Sequence, residues 1–180
     1  MKKINSCIAG ISIFTLIGHI FLTMRFLLTG LRNELVSNIF ARTTYALLLL
    51  HIVLSIVIMI RQRRRGVGAA YPKQRIRVIL QRGSGLAILL LLHGHIFKMV
   101  DVLHHKEMLV PDKIKFLAVN LSFFACIMLH IAVSASRIFI TFGILTDGKK
   151  IERLDRIIQI VCAIGIVAIS TVLIHYIIQY

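Results

Sequence analysis

Gly83-Ser84-Gly85-Leu86-Ala87-Ile88-Leu89-Leu90-Leu91-Leu92-His93-Gly94-His95-Ile96-Phe97, carried on to Leu103, is the stretch that decides the fold. As a helix rising about 1.5 Å per residue it spans about 30 Å, the depth of a bilayer's hydrocarbon. Between Leu86 and Phe97 only the two histidines are polar. An imidazole in hydrocarbon is costly unless a partner satisfies it, so a histidine at such a depth is a functional hypothesis from the outset.

Outward from this stretch, four others are long enough for a crossing, which takes about 17–25 residues as a helix. They are Ser6–Leu28, Thr44–Ile60, Ile114–Phe142 and Ile157–Tyr180. With Gly83–Leu103 they predict an all-α integral membrane bundle of five transmembrane helices. The connections are too short to fold alone and no repeat is present, so residues 1–180 are expected to form a single domain. Composition points the same way: the 180 residues are 58% hydrophobic with a net charge of +15. A soluble domain would be less apolar and a disordered basic tail far less greasy.

The bases lie in clusters between apolar runs and not along one face, which argues against nucleic acid and makes them topology signals. The segment from Arg61 to Arg82 holds Arg61, Arg63, Arg64, Arg65, Lys73, Arg75, Arg77 and Arg82 with no acid. The segment from Arg137 to Arg156 adds Arg137, Lys149, Lys150, Arg153 and Arg156 against three acids. The other connections are poorer in bases or balanced: Arg32, Glu34 and Arg42 in one, Asp101, Lys106, Glu107, Asp112 and Lys113 in the other. The N-terminus and both basic loops are therefore expected in the cytoplasm, with the C-terminus outside. Arg63–Arg65 is a solvated charge run or a dock for an acidic partner or lipid headgroups. The Met1-Lys2-Lys3-Ile4 start leads into apolar sequence without a small-residue cleavage site, so the expectation is a retained first helix and not a cleaved leader.

With that topology the histidines fall into two depth-matched pairs. His19 and His95 lie in the middle-to-outer part of the membrane, on the first and third stretches. His51 and His130 lie further in, on the second and fourth, and reach one level if the second helix tilts. Two levels, each with an imidazole from either side, are what two stacked metal centres require, and haem iron is the candidate. A bundle interior holds cofactors through side chains of facing helices. Arg137 follows His130 by seven residues, two turns and about 10 Å, where a haem propionate would meet a guanidinium; otherwise it is a snorkelling anchor.

The remaining histidines have plainer readings. His93, two residues before His95, points to nearly the opposite face and cannot serve the same iron. His104 and His105 lie in an outer loop, and His175 near the outer end of the last helix. Cys7, Cys126 and Cys162 show no paired spacing and are packing residues, too few for a four-thiolate cluster and too scattered for zinc.

Leu80-Gln81-Arg82-Gly83-Ser84-Gly85, followed ten residues later by His95, resembles the third-helix opening of the five-helix, di-haem cytochrome b anchors of succinate:quinone oxidoreductases and quinol:fumarate reductases. Gly10 to Gly30, with Ile17-Gly18-His19 inside, is similar to the family's first helix. Leu129-His130 with Arg137 and Phe142-Gly143 is similar to its fourth, and Leu50-His51 fits its second more generically. The likeness runs over nearly all of the chain. It implies that His19 and His95 hold an outer haem b, and His51 and His130 an inner one. It implies a cytoplasmic iron–sulfur subunit beside the inner haem, a flavoprotein interconverting succinate and fumarate, a membrane quinone (menaquinone or another) as substrate, and a homodimer of the whole complex as one possible assembly. The dicarboxylate chemistry comes from the likeness alone.

The chain departs from the family in its trimmed outer loops. It also has Met128 where some quinol:fumarate reductases carry a carboxylate, two residues before the fourth-helix ligand, which puts a transmembrane proton path in doubt. Glu34 is a candidate for proton exchange with quinone, or a solvated loop acid. Two rivals stay open: a di-haem cytochrome b anchoring another respiratory oxidoreductase, and a haem-free transporter or assembly protein whose histidines relay protons.

Overall fold

The computed structural model describes residues 1–64, 72–104 and 109–179, with the side chains of all of these but 72–75 and 104. Arg65, His105, Lys106, Glu107 and Tyr180, and the side chains of Lys73, Arg75 and His104, lie outside the described residues. The described chain is helical without strands: α1 (Lys2–Thr29), α2 (Glu34–Arg64), α3 (Pro72–His104), α4 (Val110–Ser134), α5 (Ser136–Thr141) and α6 (Gly148–Gln179). Five segments are long and apolar enough to cross a membrane: Lys2–Thr29, Glu34–Arg64, Ile76–Leu103, Val110–Thr141 and Gly148–Gln179. By length and composition this is a multi-pass membrane protein. Helices are the natural solution there, because hydrocarbon offers no partner to a backbone N–H or C=O.

The helices overrun the apolar stretches, and the overrun has local causes. α2 starts at Glu34, ten residues ahead of Thr44, because Asn33 caps it: its Oδ1 accepts from the Val36 N–H at 3.2 Å. Asparagine is among the preferred residues for that position, and Glu34 adds the favoured first-turn charge. α3 begins at Pro72, eleven residues before Gly83, and a proline in the first turn gives up no needed N–H. α6 is opened by Asp147, whose carboxylate accepts from the Lys149 N–H at 2.9 Å. Gly30 ends α1 in the left-handed region at φ 69°, donating to the Phe26 carbonyl.

The expected fourth helix, Ile114–Phe142, is interrupted. Ser134 turns its hydroxyl onto the His130 carbonyl, and the Ile138 N–H reaches the Ala135 carbonyl in a tighter turn at 3.1 Å. A serine hydroxyl that competes for a carbonyl one turn back disturbs the ladder. The Val133 carbonyl, at a helix end where intrahelical donors run out, accepts instead from Arg77 Nε at 2.8 Å.

The chain forms two compact units. The first comprises Met1–Pro72 and Ala135–Leu154, the second Lys73–Ser134 and Asp155–Tyr180. In the first, α1 packs along α2 and against α5. Two points set the antiparallel register of α1 and α2: Asn5 donates to Ser55 at 3.3 Å, and the Phe40 ring lies over Gly18. A Cβ at Gly18 would overlap that ring, so a small residue here is what lets the helices close up. Gly18→Val is expected to lower the unfolding midpoint of the detergent-solubilised chain, at a cost of about 1–3 kcal/mol for overpacking. Circular dichroism against temperature checks it, and an unchanged midpoint would mean that Phe40 moves aside freely.

The second unit carries most of the buried side chains. On α3 the stripe is Ser84, Ile88, Leu92, His95 and Val102, a helical repeat. α4 contributes Phe116, Asn120, Phe123, Phe124 and Ile127, and α6 contributes Cys162, Ile169, Val172, Leu173 and Tyr176. Val119 lies against Gly94, and Met128 against Gly165, so small residues admit α4 closely on both sides. At one end of this unit Arg77 holds Asp155 with two bonds of 2.7 Å while also holding Val133, joining α3, α4 and α6. Lys113 reaches the Ile177 carbonyl at the other, at 3.4 Å.

Candidate functional site

Each unit carries two of the four histidines singled out in the sequence. In the second, His95 is buried on α3, and its Nδ1 lies 2.6 Å from Asn120 Oδ1 of α4. Asn120 is itself fixed, because its amide nitrogen donates to the Phe116 carbonyl at 2.8 Å. With the amide nitrogen spent there, the oxygen faces His95 and accepts the Nδ1–H. Phe123 stacks on the His95 ring at 4.5 Å with 21° between planes, and Phe124 meets it edge-on at 5.8 Å. The imidazole is thus held in place by one hydrogen bond and two aromatic rings, one stacked and one edge-on.

His130, on α4, is held by α3. Its Nδ1 lies 3.1 Å from the Gln81 carbonyl and 3.1 Å from Ser84 Oγ. A carbonyl can only accept, and the Ser84 hydroxyl already donates to the Leu80 carbonyl at 2.7 Å. Nδ1 of His130 therefore carries the proton. In both histidines the hydrogen bonds put the proton on Nδ1 and the lone pair on Nε2, the arrangement in which a metal-ligating histidine is normally oriented by its other nitrogen. Gly85 keeps the flank of His130 open: a Cβ there would touch the ring at 3.4 Å.

The levels follow from the helix rise. Ser84, which marks the level of His130, and His95 are eleven residues apart on α3, and Asn120 and His130 are ten apart on α4. Both give about 15–17 Å along the axis. The first unit has a similar spacing. Gly18 lies level with Phe40 and Asn5 with Ser55, so His19 falls opposite residue 39 and His51 opposite residues 8–9. That sets His19 and His51 about 16–18 Å apart. Each unit thus spaces its two imidazoles by about 15–18 Å along its helices.

His93 is exposed, on the face away from buried His95, as two-residue spacing requires, and His175 is exposed on α6. Cys7 is exposed, Cys126 half-buried and Cys162 buried, all three as free thiols. Arg137 lies in α5, beyond the interruption at Ala135, so the helical ladder does not run unbroken from His130 to Arg137 and two-turn spacing alone does not fix its face. Glu34 opens α2 in its first turn, where a carboxylate favours the helix dipole. Among the described residues no three or more His, Cys, Asp or Glu side chains gather as a metal site. A haem iron takes four ligands from its porphyrin and two from protein, so such a gathering is not what it needs.

Asn120 was not singled out in the sequence, although a signal was there. It sits within Ala118-Val119-Asn120-Leu121, and a carboxamide in an apolar span is costly without a partner. Ser84 and Gln81 entered only through the family likeness; the structure shows that both touch His130. In comparisons with known proteins, no family matches this chain, and no curated protein or solved structure is significantly similar to it.

Proposed function

We propose that the chain is a di-haem cytochrome b of a membrane, with His19 and His95 as ligands at one level and His51 and His130 at the other. The carrying observation is the equal spacing of the two imidazoles within each unit, together with Nδ1–H engaged in both His95 and His130. Bound haem would supply one-electron redox chemistry in a water-poor interior. The chain's own residues bind and orient: four imidazoles offer nitrogen, Asn120, Ser84 and the Gln81 carbonyl set two of the tautomers, and Phe123 with Phe124 excludes water beside His95. Arg137 is assigned to a propionate of the His51/His130 haem, on chemistry and on its place after His130 in sequence.

The wider role in this proposal is a membrane anchor and electron carrier between a quinone pool (menaquinone or another quinone) and cytoplasmic iron–sulfur and flavoprotein subunits of a succinate dehydrogenase or fumarate reductase. The support is the likeness of the Gln81–Gly85, His19 and His130–Gly143 segments to that family's anchors. In this reading the chain lies in the cell's inner membrane with its N-terminus and basic loops in the cytoplasm, as the lysine and arginine bias suggests, and those loops would meet the soluble subunits. The same bases would also attract anionic lipid.

The test is a dithionite-reduced spectrum with haem quantitation on the purified chain. Two protohaems per polypeptide are expected, with the narrow absorbance of bis-imidazole iron. A colourless chain expressed with ample haem would refute the proposal and favour the haem-free rival.

A further inference from the structure

Asn120 is a carboxamide on α4, in the core of the second unit. It is fully buried, with none of its surface exposed, in a span that otherwise favours hydrocarbon. Its two polar ends are both used, one on the Phe116 carbonyl a turn back in its own helix and the other on His95 across the helix interface. The first bond orients the amide; the second then offers His95 an acceptor and no donor. A carboxamide free to flip would present NH₂ as readily as oxygen, and the imidazole would have no preferred tautomer. Close packing of Val119 over Gly94, one residue before each partner, holds the pair at 2.6 Å.

We infer that Asn120 is the positioning residue of the His95 ligand: anchored by Phe116, it holds the proton on Nδ1 and so fixes Nε2 as the nitrogen presented to iron. The inference rests on the di-haem proposal. Asn120 acts through His95 and not on iron itself. Outer-shell partners of this kind commonly change metal affinity by about 10–100-fold when removed. An acceptor on Nδ1–H also raises the basicity of the ligand, so its loss moves the iron's potential upward. His130 has its own acceptors, Gln81 and Ser84, and the haem it serves is not expected to respond.

The experiment compares wild type, Asn120→Leu and Asn120→Asp as full-length chains purified with haem, reading haem per chain, the midpoint potential of each haem and the low-spin electron paramagnetic resonance signals. His95→Ala identifies which signals belong to the His95 level. Asn120→Leu, close in volume but without an acceptor, is expected to weaken haem retention at that level by about 10–100-fold or to raise its potential. The other haem should keep its potential and signal. Asn120→Asp, which restores an acceptor oxygen, is expected to recover the His95-level signal. Should the leucine variant not fold, Asn120→Ala takes its place in the comparison. An unchanged potential, signal and haem content in the acceptor-free variant overturns the inference while leaving the haem proposal standing. Equal loss of both haems from the leucine and aspartate variants also overturns it, making Asn120 a packing residue. Absence of haem from wild type is the separate outcome that removes the proposal beneath it.

Discussion

Under the di-haem proposal, alanine at His130 is expected to cut the haem content of the purified chain from two to about one, and alanine at His51 to remove the same haem. His19→Ala and His95→Ala should each remove the other. The effect is large because an imidazole ligand contributes both a bond to iron and the geometry of the pocket, and alanine supplies neither. The pairing matters more than the loss. Two levels about 15–18 Å apart in each unit predict that single substitutions sort by level, not by unit, so His130→Ala and His51→Ala should leave indistinguishable spectra. A haem lost in common by His19→Ala and His51→Ala would contradict the depth argument and favour a cytochrome with a different ligand arrangement. Combining His95→Ala with His130→Ala should leave a chain without haem; one haem retained there would show that another residue ligates.

Arg77→Leu is expected to be the most damaging substitution outside the histidines. The guanidinium makes two 2.7 Å bonds to Asp155 and one of 2.8 Å to the Val133 carbonyl, so a single side chain links α3, α6 and the end of α4. Removing it takes the guanidinium away from the Asp155 carboxylate, which is 15% exposed, and frees a carbonyl at a helix end. Breaking a buried pair costs about 3–5 kcal/mol; with the Arg77 side chain 29% exposed, solvent reduces this to about 2–4 kcal/mol. Arg77→Lys should recover only part, since an ammonium cannot span both carboxylate oxygens and reach Val133 as well. Arg77→Leu with Asp155→Leu should be more stable than Arg77→Leu alone, because the carboxylate that the guanidinium held is then gone as well. Thermal unfolding of the wild type and these three variants in one detergent gives the comparison. A double variant no better than the single would show that the carbonyl contact, not the ion pair, carries the effect.

Helix formation was legible at the level of spans and less so at their ends. Hydropathy marks the part of a helix that lies in hydrocarbon, and α2 and α3 continue ten and eleven residues beyond it because the backbone ladder runs on through polar turns. Asn33 and Pro72 were the available start signals. The break at Ala135 was hidden, since Ser134 is ordinary in a helix until its hydroxyl takes the His130 carbonyl.

Five crossings and the place of four imidazoles along them belonged to the sequence alone, because a bilayer leaves an apolar run of that length no choice but to close its hydrogen bonds within a helix. Which atoms face one another did not. That His95 meets Asn120, that His130 meets Gln81 and Ser84, and that Arg77 gathers Asp155 and Val133 depend on the rotation and closeness of neighbouring helices. Those are set by where a glycine lets two backbones approach, which residue spacing within one helix does not encode.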